Sequence, residues 1–304
     1  MNFLSALGAQ AAFINSSVIP WVLRLVMIGL GLSLTLNDFR RVLVYPKAVT
    51  LGLVAQLIGQ PLIGFGLALL FNAPPTIAMG LVILAACPSG VTSNAYSFAA
   101  RADVPLCVTL SALTSVITIF TIPFFINFGL TTFTVGGALT AFPVSRMMLE
   151  LVGYTLVPLT LGMLIRAWVP RFAEGAVEPI RKSILYLMMS VLILGVISSY
   201  QEIFDHFAQA GALVITMNLL SMGMGYGLAR LLGLPTPQVI TITFEVGVHN
   251  LALAFTITFA MLQRPDLAIA ALLYAVVMPA TALSFVAIAK RLLAAEARAV
   301  GSSV

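Results

Sequence analysis

The chain has 304 residues, of which 61% are hydrophobic and 8% charged, with a formal net charge of +5 and a mean hydropathy of +1.09. A soluble domain carries roughly a quarter charged residues, so the composition excludes a water-soluble fold and requires an integral membrane protein with many apolar runs of about 20 residues. The basic residues sit in short loops between such runs, which argues against a nucleic-acid surface and for a role in setting membrane orientation.

The first 17 residues lack the basic start of a signal peptide and are too short to span. Phe3 to Phe13 reads as an interfacial segment. Nine spanning segments are predicted, at about 18–36, 48–71, 76–100, 104–129, 145–168, 182–200, 209–232, 236–262 and 267–292. Turn signals such as Asn72-Ala73-Pro74-Pro75 and Gly233-Leu234-Pro235 separate them. No linker is long enough to divide soluble domains, so residues 1–304 read as a single membrane domain. Cys87 and Cys107 both fall in predicted spans, and no structural disulfide is expected. One side of the predicted spans collects twelve of the fifteen basic residues, from Arg40, Arg41 and Lys47 to Lys290, Arg291 and Arg298. The positive-inside rule makes that side cytoplasmic. The N-terminus is then outside and the C-terminus inside, in a multi-pass protein of the inner (plasma) membrane.

Segments three and eight carry polar interruptions that a plain spanning helix would not tolerate: Cys87-Pro88-Ser89-Gly90-Val91-Thr92-Ser93-Asn94 and Phe244-Glu245-Val246-Gly247-Val248-His249-Asn250. Both read as broken helices whose breaks meet in the membrane. They run in opposite directions, so segments 1–4 and 6–9 form inverted repeats with segment 5 unpaired, the arrangement that marks a transporter site. Glu245 is the only acid placed deep in a span, and it needs a cation partner or a proton there. Free N–H groups where a helix restarts, at Val91 and Thr92, favour an anion such as a carboxylate. Asn94 and Asn250 add hydrogen-bonding groups beside them. Arg24, about 10 Å along the first segment, is placed either to meet a substrate carboxylate or to snorkel to the interface beside Trp21. Met147, Met148, Met188 and Met189 read as packing or lipid-facing residues, or as the lining of an apolar cavity.

At these residues the sequence resembles the bile acid:sodium symporter family, whose pattern is a Cys-Pro-Gly-Gly … Ser-Asn break followed by a Glu-x-Gly-x-Gln-Asn break. The counterparts here are Cys87-Pro88-Ser89-Gly90 … Ser93-Asn94 and Glu245-Val246-Gly247-Val248-His249-Asn250, supported by Ile19-Pro20-Trp21, Asn37-Asp38-Phe39 and Ala55-Gln56. The resemblance implies an all-α polytopic fold lacking the first of the ten spans of bacterial relatives, which accounts for the unpaired segment. It implies a panel of about 18–36 and 145–200 against a core of about 48–129 and 209–292. It also implies two sodium sites sharing Glu245. The first matches Ser93, Asn94, Cys107, Ser111 and Glu245. The second matches Gln56, Glu245, His249 and the carbonyls near Val246 and Val248. Cys107 stands where the family has Ser and His249 where it has Gln, so each site loses one oxygen that a hard cation prefers.

The function implied is sodium-coupled symport of an organic anion (bile acid-like, pantoate-like or a keto acid) by alternating access, with sodium as coupling ion and no cofactor. Two alternatives stand beside it. In the first, a protonated His249 supplies the charge that sodium otherwise brings; Glu245 and His249 are four apart and share a face if the segment stays helical. In the second, Cys87 and Glu245 serve an arsenite-type efflux permease of related fold. An enzyme is not expected: the chain has two histidines, His206 is placed in a loop, and no His-Glu-x-x-His motif occurs.

Overall fold

The computed structural model of the chain describes residues 18–133, 142–176 and 200–301, with Pro179, Lys182, Ser183 and Tyr186 between them. The interfacial segment expected at Phe3 to Phe13, most of segment 182–200, and Met188 and Met189 lie outside the described residues. Among the described residues every named element is a helix.

Helix α1 spans Ile19–Ser33 and α2 spans Leu36–Val44. Helix α3 covers Pro46–Leu70. Helix α4, Pro75–Ala86, and α5, Val91–Ala99, flank the first break. Helices α6, Val104–Thr132, and α7, Val144–Trp168, follow. Helix α8 runs over Tyr200–Leu231. The second break separates α9, Thr236–Gly247, from α10, Leu251–Met261. Helix α11, Ile269–Gly301, follows a short 3-10 turn at Pro265–Ala268.

Five of these helices are long and apolar enough to cross a membrane, and α1 with α2, bent by 77°, makes a sixth if taken as one span. The two broken spans appear as paired short helices. His206, expected in a loop, lies within α8, because the helix begins at Tyr200 rather than near residue 209.

Local sequence explains the boundaries. Proline opens several helices, as Pro20, Pro46, Pro75, Pro105 and Pro237, where its missing N–H is no loss. Asn72 and Gly233 take left-handed conformations, φ 46° and 67°, in the two turns the sequence marks. Three helices widen to π-helix, at Ala55–Gly59, Val152–Leu156 and Thr256–Met261. Each of the first two widenings ends two residues before a proline, Pro61 or Pro158. The proline has no N–H for the carbonyl four residues back, and the preceding residue bonds five back instead: Gln60 N–H to the Ala55 carbonyl and Val157 N–H to the Val152 carbonyl.

Outward faces remain apolar, as lipid requires. Phe120, Phe124 and Phe128 form an exposed stripe on α6. Met147 is buried at the start of α7, so it packs inside the protein rather than facing lipid. Helices α1 and α7 meet through Gly31 and Gly162, whose Cα positions approach so closely that a Cβ on either would collide with the other helix's carbonyls, those of Leu159 and Ile28. This small-residue contact is how helices associate where lipid offers no hydrophobic drive.

Gly162→Val is therefore expected to force α1 and α7 apart and to destabilise the protein by about 1–3 kcal/mol. Gly66→Ala, at an exposed position with nothing within 4 Å of the added Cβ, should leave thermal unfolding in detergent unchanged. Equal melting temperatures for both variants would show that the contact is not a packing constraint.

Candidate functional site

The first helix stops because Pro88 bars the helical region for the residue before it. Cys87 is extended, with φ −70° and ψ 142°, and Gly90 is extended before α5 begins. In the second span Val248 is extended at φ −118°, ψ 107°, and Asn250 caps α10, its Oδ1 accepting from Leu253 N–H at 3.1 Å. The two breaks pair with each other. Ser89 and His249 form an antiparallel bridge, with Asn250 N–H donating to the Pro88 carbonyl at 2.8 Å and Gly90 N–H to the Val248 carbonyl at 3.3 Å. Backbone polar groups that lipid cannot satisfy are thereby satisfied by the opposing break. A Cβ on Gly90 would stand 3.1 Å from the His249 carbonyl oxygen, closer than most Cβ contacts, so the opposing break would have to shift slightly.

Glu245, on the last turns of α9, is 2% exposed and sits at this crossing. Four side chains donate to it. Ser93 Oγ at 2.6 Å, Cys107 Sγ at 2.9 Å and Ser111 Oγ at 2.9 Å share Oε1. Ser89 Oγ reaches Oε2 at 2.5 Å. The donors come from the first break, from α5 and from α6. Among the described residues no Lys or Arg stands within ion-pair distance of Glu245. Hydrogen bonds to a charged group contribute about 1.5–3 kcal/mol each, so the cage offsets much of the desolvation cost but brings no positive charge.

The carbonyls at the end of α9 are held from behind. Gln60 on α3 donates through Nε2 to the Val246 carbonyl, and its Oε1 accepts from Ser221 Oγ at 2.8 Å. Tyr274 OH and Asn218 Nδ2 both donate to the Gly247 carbonyl, at 2.8 and 3.0 Å. None of Gln60, Asn218, Ser221, Tyr274 or Ser89 was expected as a site residue. Gln60 had a visible signal, four residues from Gln56 in an apolar run and hence on the same helix face. Asn218 stood out in the same way within α8.

A second polar group lies on the Cys87 carbonyl, which accepts from Gln56 Nε2 at 3.1 Å and lies 3.4 Å from His249 Nδ1. Cys87 thus enters the crossing through its backbone. His249 lies within the break, past the end of α9, so the shared helical face expected for Glu245 and His249 does not form, and no hydrogen bond joins them. Its ring rests against Tyr274, centroids 5.2 Å apart. Among the described residues three buried side-chain oxygens accept nothing: Asn94 Oδ1, on the residue after Ser93, Gln56 Oε1 and Asn218 Oδ1. Buried oxygens without donors, together with a buried carboxylate that has no basic partner among the described residues, suit a hard cation.

Against known proteins, the model of the Sodium Bile acid symporter family matches residues 20–207. The chain belongs to that family. It is 26% identical over 274 residues to the probable sodium/metabolite cotransporter BASS2, chloroplastic, of Oryza sativa subsp. japonica, covering 86% of this chain and 63% of that protein. Identity is 27% over 251 residues to the uncharacterized sodium-dependent transporter YocS of Bacillus subtilis, covering 81% and 74%. To the ileal sodium/bile acid cotransporter of Cricetulus griseus it is 25% over 265 residues, covering 86% and 75%. The chain thus spans less than two thirds of the rice protein and about three quarters of the other two.

Of the first ion set that resemblance to the symporter family implies, Ser93, Cys107, Ser111 and Glu245 are in direct contact, and Asn94 follows Ser93 on α5. Of the second set, Gln56 and His249 gather at the Cys87 carbonyl rather than at Glu245. The Val246 and Val248 carbonyls already accept from Gln60 and Gly90. Among the expected substrate residues, Val91, Thr92 and Asn94 line the first turn of α5, where no side chain caps the helix and Thr92 is exposed. Asn250 is buried and occupied as a cap, with Nδ2 unpartnered. Arg24 is held between two aromatic faces, 4.7 Å from the ring centroids of Trp21 and Tyr154. No hydrogen bond or ion pair joins it to the breaks among the described residues.

Because Tyr274 and Asn218 converge on one carbonyl, losing either should cost about 1 kcal/mol and losing both more than the sum. A double-mutant cycle of Tyr274→Phe and Asn218→Leu on thermal stability checks this, and strict additivity would count against a shared role.

Proposed function

We propose that the chain is a secondary transporter that couples sodium to the movement of an organic anion by alternating access. One observation carries the reading: Glu245 is a buried carboxylate at the crossing of two broken helices, ringed by neutral donors and, among the described residues, without a basic partner. Such a group calls for a mobile cation. Family membership and the sodium in the relatives' names support the choice of sodium. Ser93 Oγ, Asn94 Oδ1, Ser111 Oγ and the Glu245 carboxylate would supply oxygen ligands. The hydroxyls act as ligands by turning their protons away, and Ser93 has the Gly90 carbonyl 2.8 Å away to receive its own.

The cargo in this reading is an organic carboxylate. Its negative end meets the uncapped N-terminus of α5 at Val91, Thr92 and Asn94, with Asn250 Nδ2 facing it across the crossing. Arg24 takes part when the panel of 18–36 and 145–200 closes on the core of 48–129 and 209–292. Cation binding sets the breaks and cancels the Glu245 charge, and the anion then binds beside them. Coupling is reciprocal: if sodium tightens the anion, the anion tightens sodium by the same factor. The excess of basic residues on one side supports a cytoplasmic C-terminus in a plasma-membrane protein.

The test is thermal stability of the purified protein, titrated with sodium against potassium at fixed ionic strength. Sodium should give a saturable shift, worth about 2.7 kcal/mol at a hundredfold excess over Kd, absent in Glu245→Gln. Cys107→Ser replaces a thiol by an oxygen ligand and should lower the half-saturating sodium concentration by about tenfold, or about 1.4 kcal/mol. Identical sodium and potassium curves would sink the sodium assignment. A pH-dependent shift lost in His249→Gln, with no sodium effect, would transfer coupling to a proton.

A further inference from the structure

The two oxygens of Glu245 have different surroundings. Oε1 faces Ser93, Cys107 and Ser111, and the residue after Ser93 carries the donor-free Asn94 Oδ1. Oε2 has one partner, Ser89 Oγ, at 2.5 Å, the shortest of the four contacts. Ser89 is locked in place by its backbone bridge to His249, so this hydroxyl is aimed by the crossing itself. It also stands 3.1 Å from Ser111 Oγ, but a hydroxyl has one proton, and the carboxylate is both nearer and charged.

On the Gln56 and His249 side the two backbone carbonyls each already accept a hydrogen bond. The Val246 carbonyl accepts from Gln60 and the Val248 carbonyl from Gly90. His249 brings ring nitrogen, with Nδ1 turned to the Cys87 carbonyl. The donor-free oxygens there are Gln56 Oε1 and, behind the break, Asn218 Oδ1, fewer than the roughly six or more that a hard cation gathers.

We infer that this chain binds one sodium ion rather than two, on the Oε1 side of Glu245, and that the Ser89 hydroxyl takes the place of a second cation at Oε2. The inference rests on the sodium-coupled reading above and narrows it. One sodium cancels the single charge of Glu245. A univalent carboxylate carried with one sodium moves no net charge across the membrane, so its accumulation follows the sodium gradient and not the membrane potential.

The experiment is direct binding of radioactive sodium to the purified full chain in detergent, calibrated per mole of protein, with choline chloride holding ionic strength. One ion per chain with a Hill coefficient of about 1 is expected. Two ions per chain in the wild type overturns the inference and leaves sodium coupling standing. No binding at all removes both readings. The double variant Ser89→Gly with His249→Gln frees Oε2 and restores an amide oxygen. It should bind a second ion, and a double variant that still binds one shows that Ser89 is not what excludes it. Ser89→Ala, which removes only the hydroxyl and keeps the Cβ, paired with His249→Gln, gives the same reading if the glycine variant fails to fold. The wild-type stoichiometry decides the main point without any variant.

Discussion

A carboxylate held inside a membrane protein without a basic partner is the constraint on which the rest of this structure depends. Desolvating Glu245 costs several kcal/mol even after relaxation, and four donors from three separate chain segments converge to offset it. The donors reach it only because both helices break at the same depth. An unbroken α4–α5 span would carry Ser89 and Ser93 on a helix surface with its carbonyls already bonded. An unbroken α9–α10 would leave no backbone for the other break to pair with. The polar sequence of each break is thus the condition for the other's burial.

Behind the crossing, the scaffold is stiff. Gln60, Asn218 and Tyr274 hold the last carbonyls of α9, and Ser221 fixes the Gln60 amide. These groups come from α3, α8 and α11, so the break is anchored on three helices at once. The front is different in kind. The first turn of α5 has no side-chain cap and exposes Thr92, and Asn94 Oδ1 is left without a donor. A rigid back and an open front are what a site needs if it is to stay fixed while the elements around it move. The close approach of Gly31 to Gly162 packs α1 directly on α7 through backbone contact.

Cys107 and His249 show how the same frame can be retuned. Cys107 keeps the hydrogen bond to Glu245 that a hydroxyl would make, while offering a soft sulfur where a hard cation prefers oxygen. His249 keeps the contact with the Cys87 carbonyl that lies beside Gln56, while its ring packs on Tyr274. Both side chains take part in the hydrogen-bonded architecture while presenting sulfur and ring nitrogen in place of oxygen.

Much of the fold was legible because the membrane imposes a one-dimensional code. Apolar runs of about 20 residues mark helices, and the polar interruptions at Cys87–Asn94 and Phe244–Asn250 mark the breaks. Ser93, Cys107, Ser111 and Glu245 could be grouped from the motifs that carry the family resemblance. The helix start at Tyr200 was missed, because Gln201, Glu202, Asp205 and His206 make that turn polar and the hydropathy signal begins only later. Ser89 was quoted in its motif and given no role, since nothing local distinguishes a serine that fills a break from one that contacts an acid 156 residues away. The sequence by itself determined that the chain is a helical membrane protein with two broken spans and one buried acid, because hydropathy and helix breaking are local properties. Only the tertiary structure decided which side chains meet that acid, that Oε2 is taken by Ser89, and that Gln60, Asn218 and Tyr274 brace the break, because those contacts join residues distant in the chain through the packing of whole helices.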